Sequence, residues 1–529
     1  MSRASDRLEK ARRLLAAKAY REAHALCLEA LARDPAAAEA YFLLGVLSAE
    51  HGVAGKAAEL FERAIGLDTA EAPYHAHLAR ALTVLNRPVE AREAAERAMA
   101  LAPTDALTLD TIGVALSRTG AHDRAVELFR RAAAREGAGA GLWYNLGAAE
   151  QFVGDFEAAE AAYRRAVALD PAAYKALAAL AGLSRQTPER NLVLELEALF
   201  PKDDAQADAD PDRALQIGHA LAKSLEDLGD DLAALDWLIR AKAPKRRAVG
   251  YDAGRDEAAF AAAARTAAPP PAGEMACLSG APIFVVGLPR TGTTLVERIL
   301  SSHPDVTSVG ELTNFALIVK QRARTPANTV LDAETLDAAR ALDLSGLGQA
   351  YIDSTRPLSG GTARFVDKMP LNVFYAGLIL RALPDARVLC LRRDPLDSIV
   401  SNFRQLFATD YPYYRYALNL EDTARYYLMF DRLVGRWRER LPPDRFTETR
   451  YEDLVLNQEA ETRRLLAFCG LDWDDRCLAF HQNAAAVATA SSVQVRRPLY
   501  ATSVGRWRRW ADRLAPAIRI LEEGGVQVS

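Results

Sequence analysis

Residues 282–300, PIFVVGLPRTGTTLVERIL, place Gly287 and Gly292 at the spacing of a nucleotide-phosphate loop, G-x-x-x-x-G-K-[ST]. Thr293 stands where that loop keeps its lysine, and Arg290 lies inside the loop. An apolar run followed by glycines and then a helical pattern reads as buried strand, tight turn and helix. Backbone N–H groups over 288–294 and the helix N-terminus would converge on one anion. Thr291, Thr293 and Thr294 add hydroxyl donors, and Arg290 adds a fixed charge. A turn whose glycines serve packing alone is the competing reading.

A second stretch, ARVLCLRRDPLDSIVSNFRQLF (386–407), repeats the order strand, turn, helix. A phosphate-loop ATPase would end such a strand in a carboxylate that helps to hold Mg²⁺. Here the strand ends in Arg392 and Arg393, cations suited to a second anionic group without a metal. Asp394 before Pro395 suits a helix cap. Ser401 lies two turns on from Arg393, so Arg393 is preferred over Arg392, which reads as a strand-end residue facing water. The ligand expected is one with two separated anionic groups.

These two stretches resemble the 5′-phosphosulfate and 3′-phosphate elements of sulfotransferases, which use 3′-phosphoadenosine 5′-phosphosulfate (PAPS) as donor. Sulfuryl transfer from PAPS needs neither a γ-phosphate lysine nor Mg²⁺. Within the superfamily the chain is most similar to protein-tyrosine sulfotransferases. PRTGTTLVERILSSHPDVTSVGEL, TRYEDLVLNQE (449–459) and VQVRRPLY (493–500) carry that likeness. The resemblance implies adenine contact by Tyr451, phosphosulfate contact by Arg497, and donor binding by Arg290, Thr291, Gly292, Thr293, Thr294, Arg393 and Ser401. It also implies catalytic roles for Glu311 as general base and for Lys368 and Arg290 as charge stabilisers, with PAPS as co-substrate and no metal.

The pattern departs from the family in places. Small-molecule sulfotransferases place a histidine base two residues after the lysine, where RFVDKMPLNVF has Pro370. One inserted residue before Gly310 shifts the register leading to Glu311. A further 3′-phosphate arginine is displaced by one, to Arg404. Glu311 could instead be a solvated or capping carboxylate, Lys368 a surface partner of Asp367, and His303 an alternative base. The basic, tryptophan-rich stretch 506–510 would suit a flexible cap over the nucleotide but reads first as a solvated helix, and the tyrosines of 411–430 read as packing residues before an acceptor groove.

The elements that must position these groups follow an N-terminal half of a different kind. Ala30, Ala64, Ala98, Ala132 and Ala166 recur with a period of 34, as do Ala23, Ala57, Ala91, Ala125 and Ala159. Leu44, Leu78, Ile112, Leu146 and Leu180 keep the same step, each followed by Gly or Ala. Small residues at a fixed helical position let paired helices approach closely. The pattern resembles the tetratricopeptide repeat. PERNLVLELEALFPKDDAQADADPDR breaks the phase and predicts an extra helix and a polar loop, with another helical unit after it. The fold class expected is an all-α repeat solenoid followed by an α/β, P-loop-like sulfotransferase domain on a central parallel sheet. The boundaries read as repeats over 1–250, a linker over 251–281 and the catalytic domain over 282–529.

Composition agrees with that plan. A chain of 529 residues exceeds one ordinary core. A net charge of −4 opposes a broad nucleic-acid face. The five cysteines are scattered, the eight histidines do not cluster, and no apolar run reaches a membrane span. The expectation is a cytoplasmic enzyme that binds PAPS and its product PAP, with no nucleic-acid or membrane partner. It would sulfate a protein or peptide tyrosine held by the array, or else a small phenol, sugar or lipid. The array reads equally as a dimerisation module. A P-loop kinase or hydrolase, and a non-catalytic repeat scaffold, are the rival classes.

Overall fold

The computed structural model describes residues 3–267, 277–409, 411–483, 495 and 498–528. The chain forms two compact units, Met1–Phe200 with Lys223–Gly229, and Pro201–Ala222 with Asp230–Ser529.

The first unit is a series of helix pairs, from Arg3–Ala16 with Tyr20–Arg33 through Ala140–Val153 with Phe156–Leu169. Every alanine of the 23-to-159 series is fully buried, as the close-approach reading requires. In three pairs the Gly after the periodic leucine or isoleucine meets an aromatic ring sixteen positions later in the paired helix. A Cβ on Gly45 would lie 2.6 Å from the Phe61 ring, on Gly113 2.8 Å from Phe129, and on Gly147 2.7 Å from Tyr163. In the intervening pair, where the first helix has Ala79, the second has Ala95 and no ring; both are buried. Volume is thus balanced within each pair, as close packing demands.

After the break come two short helices, Val193–Leu199 and Asp204–Ala209, then a longer pair, Pro211–Leu228 and Asp231–Val249. Within that pair a Cβ on Gly218 would overlap the Cβ of Ala241 at 2.1 Å, the same close-approach device at a longer spacing.

The second unit is built on a five-stranded sheet of order β2-β3-β1-β4-β5. The strands are β1 (Pro282–Gly287), β2 (Val306–Gly310), β3 (Arg364–Asp367), β4 (Arg387–Arg392) and β5 (Phe446–Arg450). All pairings are parallel. Parallel sheets are covered on both faces, which explains why β1 is apolar throughout and wholly buried. Phe284, Val286, Val388 and Cys390 pack into one core with Phe315, Tyr351 and Ile379. Ile283, Val285, Leu389 and Leu391 pack into the other with Val296, Ile299 and Leu465.

The stretch 251–281 contains a helix, Ala253–Arg265, started by Asp252, whose side chain accepts from Gly254 N. Its alanines favour helix, and Phe260 packs on Phe374 and Tyr426, ring centroids 4.5 and 5.0 Å apart, in the first of these cores. No described helix is long and apolar enough to cross a membrane. The chain leaves β1 toward one side of the sheet and β4 toward the other, so their adjacent carboxyl ends form the switch point at which such sheets bind ligands.

Candidate active site

The loop after β1 is shaped by its backbone. Gly287 has φ +147, and a Cβ there would lie 2.7 Å from the carbonyl oxygen of Leu391 on β4. Arg290 itself adopts φ +64, a costly conformation for a residue with a side chain and one found at ligand clamps. Thr291 Oγ1 donates to Leu288 O at 2.7 Å, and Asn402 Nδ2 to Pro289 O at 2.8 Å. Gly292, φ +108, stands at the N-cap of the helix Thr293–Leu300 and supplies no side-chain cap.

One cavity of about 290 Å³ opens at this point. Arg290, Gly292 and Thr294 line it from the first loop, and Arg393, Ser401 and Arg404 from the segment after β4. Tyr451, at the end of β5, closes another side. Thr291 and Thr293 are buried but do not line the cavity; the Thr291 hydroxyl is used within the loop.

Arg393 is the hub of the cavity. Its Nη1 donates to Arg290 O at 3.1 Å and to Ser401 Oγ at 3.2 Å, and its Nη2 donates to Ser503 O. The guanidinium lies 4.8 Å from the Tyr451 ring centroid, while its buried Nε has no hydrogen-bond partner. Burial, then the charges of Arg393 and Arg404, push the Arg290 pKa below its ordinary value. Three cations that repel one another around a polar cavity are arranged to receive an anion.

Arg392, in contrast, does not face water. It is paired with Asp431 and lies 3.6 Å from Glu448, outside this cavity. The stretch 506–510 is only partly solvated, with Arg508 and Arg509 exposed and the tryptophans turned inward. Trp510 is buried, donates to Asp231 O at 2.8 Å, and has Arg404 and Arg506 at 5.0 and 5.5 Å from its ring. Asp397 anchors the approach, accepting from Gly505 N at 2.7 Å and Trp507 N at 2.8 Å. Tyr500, Ser503 and Arg506 thereby join the cavity wall. Arg497 lies outside the described residues.

A second cluster forms where β2 and β3 end. Lys368 is buried, its backbone N donates to Gly310 O at 2.9 Å, and its ammonium pairs with Glu311. It is thus no surface partner of Asp367, whose carboxylate instead accepts from Tyr351 at 2.8 Å and is pushed up to about 7 by burial. The pairing of β2 with β3 shifts between Ser308 and Gly310, so that one residue is extra. Bulges of this kind re-aim side chains beside active sites. His303 serves a turn, accepting from Asp305 N and bonded through Nε2 to Asp472 O, both at 3.1 Å.

Glu297 is the residue that sequence reasoning missed. It projects from the helix after the loop, is 6% exposed, and lies 3.8 Å from the Lys368 ammonium. The available signal was an acid–base pair, Glu297 and Arg298, inside a run of buried aliphatic residues.

An anion cradle at the switch point of a parallel sheet, with a buried lysine–carboxylate cluster alongside, defines a P-loop-like group-transfer domain. The Sulfotransferase family model matches residues 282–475, and the Tetratricopeptide repeat model matches 140–172. The chain is a tetratricopeptide-repeat protein with a sulfotransferase-family domain in its C-terminal half. An uncharacterized protein of Aquifex aeolicus (strain VF5) is 32% identical over 407 residues, which are 76% of this chain and 52% of that one. Protein-tyrosine sulfotransferase 2 of Gallus gallus is 28% identical over 202 residues, 37% of this chain and 53% of that one. The chain spans about half the length of these curated relatives. A solved sulfotransferase domain from the curacin biosynthetic pathway is 17% identical with TM-score 0.35, covering 48% of this chain and 100% of that one.

Proposed function

We propose that this protein transfers a sulfuryl group from PAPS to an acceptor hydroxyl, and that the acceptor is a protein or peptide tyrosine. The observation that carries the reading is the convergence of Arg290, Arg393 and Arg404 on one cavity, with Arg393 Nε unpartnered. When bound, the donor supplies a sulfuryl group activated by its phosphosulfate linkage. Arg393 and Ser401 would hold its 3′-phosphate and Tyr451 its adenine. Arg290, Thr294 and the first-turn amides would hold the phosphosulfate, with Thr291, Gly292 and Thr293 shaping the loop around it. Arg497 would reach the same group from the C-terminal segment.

Glu311, 41% exposed at its side chain, is accessible to an acceptor and would take the hydroxyl proton. Lys368 would stabilise the charge that develops during transfer. The tyrosine acceptor rests on the Gallus gallus relative and on a repeat array of the kind that presents a concave binding face. We assign the repeats to 1–250 and the catalytic machinery to 282–529. The five cysteines are free thiols, in keeping with a reducing, cytoplasmic setting.

The test is transfer of radiolabelled sulfate from PAPS by the full chain to tyrosine peptides, para-nitrophenol, sugars and lipids in parallel. Peptide labelling that outruns the others supports the reading. Labelling of the small phenol, sugar or lipid alone would replace the acceptor class. Tight ATP–Mg²⁺ binding without any response to PAP would replace the reaction.

A further inference from the structure

Glu297 belongs to a charge cluster that the roles assigned above leave unbalanced. Lys368, 1% exposed, meets two carboxylates: Glu311 in direct contact and Glu297 Oε2 at 3.8 Å. Glu297 is held from its other oxygen, which accepts from Ser308 Oγ at 2.5 Å, while Oε2 has no hydrogen-bond partner. Ser308 Oγ also accepts from Gly310 N at 3.2 Å, inside the bulge that sets the direction of Glu311. Ser308 therefore connects the two acids through the backbone turn. The charged groups around Glu297 are Lys368 after β3, Glu311 after β2, Arg298 on its own helix and the buried Asp367. Burial raises the Glu297 pKa, Lys368 and the Ser308 bond oppose this, and the Glu311 charge adds to it.

We propose that Glu297 is a positioning residue of the transfer site, a second counter-ion that keeps Lys368 charged and in place when Glu311 becomes neutral. This rests on the proposed sulfuryl transfer. In that step the acceptor O–H bond breaks, its proton passes to a Glu311 oxygen, and the oxygen forms the new bond to sulfur as the phosphosulfate bond breaks. Glu311 then carries no charge, and Lys368 would be a buried cation with no anion in contact. Glu297 lies close enough to assume the pairing, and loss of the Glu311 charge also removes the repulsion that disfavoured its ionised form. Two acids that share one ammonium in this way are a coupled set.

The experiment compares the full-length wild type with Glu297→Gln, using PAPS and 4-methylphenol, whose hydroxyl keeps its proton at neutral pH. We expect kcat to fall about tenfold, the loss of a charge-assisted contact, with the KM for PAPS unchanged. The shape of the pH–kcat profile should also change, because a carboxylate has left the coupled cluster. A profile of wild-type shape with reduced amplitude overturns the proposal, since a packing defect would do that. Thermal midpoints of Glu297→Gln, Lys368→Met and the double variant give a second reading that needs no turnover. Additive midpoints overturn the pairing. Coupled midpoints in a wild-type protein that binds PAP but transfers no sulfate would leave the pairing standing and overturn both the reaction and the role of Glu297 in it.

Discussion

Gly292 and Tyr451 are in contact across the sheet: a Cβ added to Gly292 would come 2.7 Å from the tyrosine ring. The loop after β1 and the residue after β5 therefore fix one another, and the cavity between them depends on a missing side chain. With φ +108, Gly292 also holds a conformation that other residues rarely adopt. Gly292→Ala should abolish the thermal stabilisation conferred by PAP. Tyr451→Ala relieves the overlap but leaves the strained φ and removes the residue proposed to hold the adenine, so the double variant should recover only part of the response in a thermal-shift titration.

Arg393 and Arg392 are neighbours with opposite assignments, and mutation separates them. Arg393→Ala should weaken PAP binding by roughly 1.5–3 kcal/mol, the range for a hydrogen bond to a charged group. Arg392→Ala removes a partner of Asp431 and Glu448 away from the cavity, so it should lower the melting temperature while PAP affinity measured by calorimetry is kept. Equal losses of affinity in both would mean that the strand end, and not Arg393, attracts the anion.

Glu311→Gln keeps shape and removes basicity. Turnover should fall about 10²-fold or more while PAP affinity persists, as loss of a general base requires. Wild-type turnover in this variant would place the base elsewhere. His303 is a poor substitute, since both its ring nitrogens are occupied in the turn.

How far the site could be read in advance depended on distance along the chain. Arg393 stands just before the cap of the helix that carries Ser401, so their 3.2 Å contact is local in sequence. The alanine series and the Gly-to-aromatic pairs of the array are equally local, because each partner lies within one repeat. Glu297 was hidden, since its meaning depends on Lys368, which enters from a different strand. The docking of Trp510 on Asp231 was hidden for the same reason, as was the burial of Lys242 against the Gln405 and Ala417 carbonyls at 3.1 and 2.9 Å. Polar residues in a helix pattern read as solvated until a long-range partner is known.

Asp367 makes stability depend on pH. Burial raises its pKa from 3.8 to about 7, so the folded chain binds this proton more tightly than the unfolded chain does. The stabilisation is fully present below the unfolded value and is lost as pH rises through about 7. Asp367→Asn keeps an acceptor for Tyr351 without the titration. Its thermal midpoint should therefore decline less than that of wild type between mildly acidic and neutral pH. Parallel curves for the two proteins would show that Asp367 does not titrate in this range.

The repeat array should govern the choice of acceptor, and where the chain is cut decides whether this can be measured. A cut near residue 275, at the composition break, would remove Phe260 and Ala263 from the core of the second unit. It would also remove Lys242, whose ammonium holds the Gln405 and Ala417 carbonyls, and Asp231, which receives Trp510. That truncated chain should aggregate. A chain beginning at Pro201 keeps all of these groups, and every cavity residue lies beyond it. It should still be stabilised by PAP and sulfate para-nitrophenol at the full-length rate, while losing activity toward a tyrosine-containing protein acceptor. An extended chain can use a concave helical face, and a small phenol has no need of one. Undiminished sulfation of the protein acceptor by the chain from Pro201 would make the array a structural or dimerisation module. Sedimentation of the full chain would then distinguish those two roles.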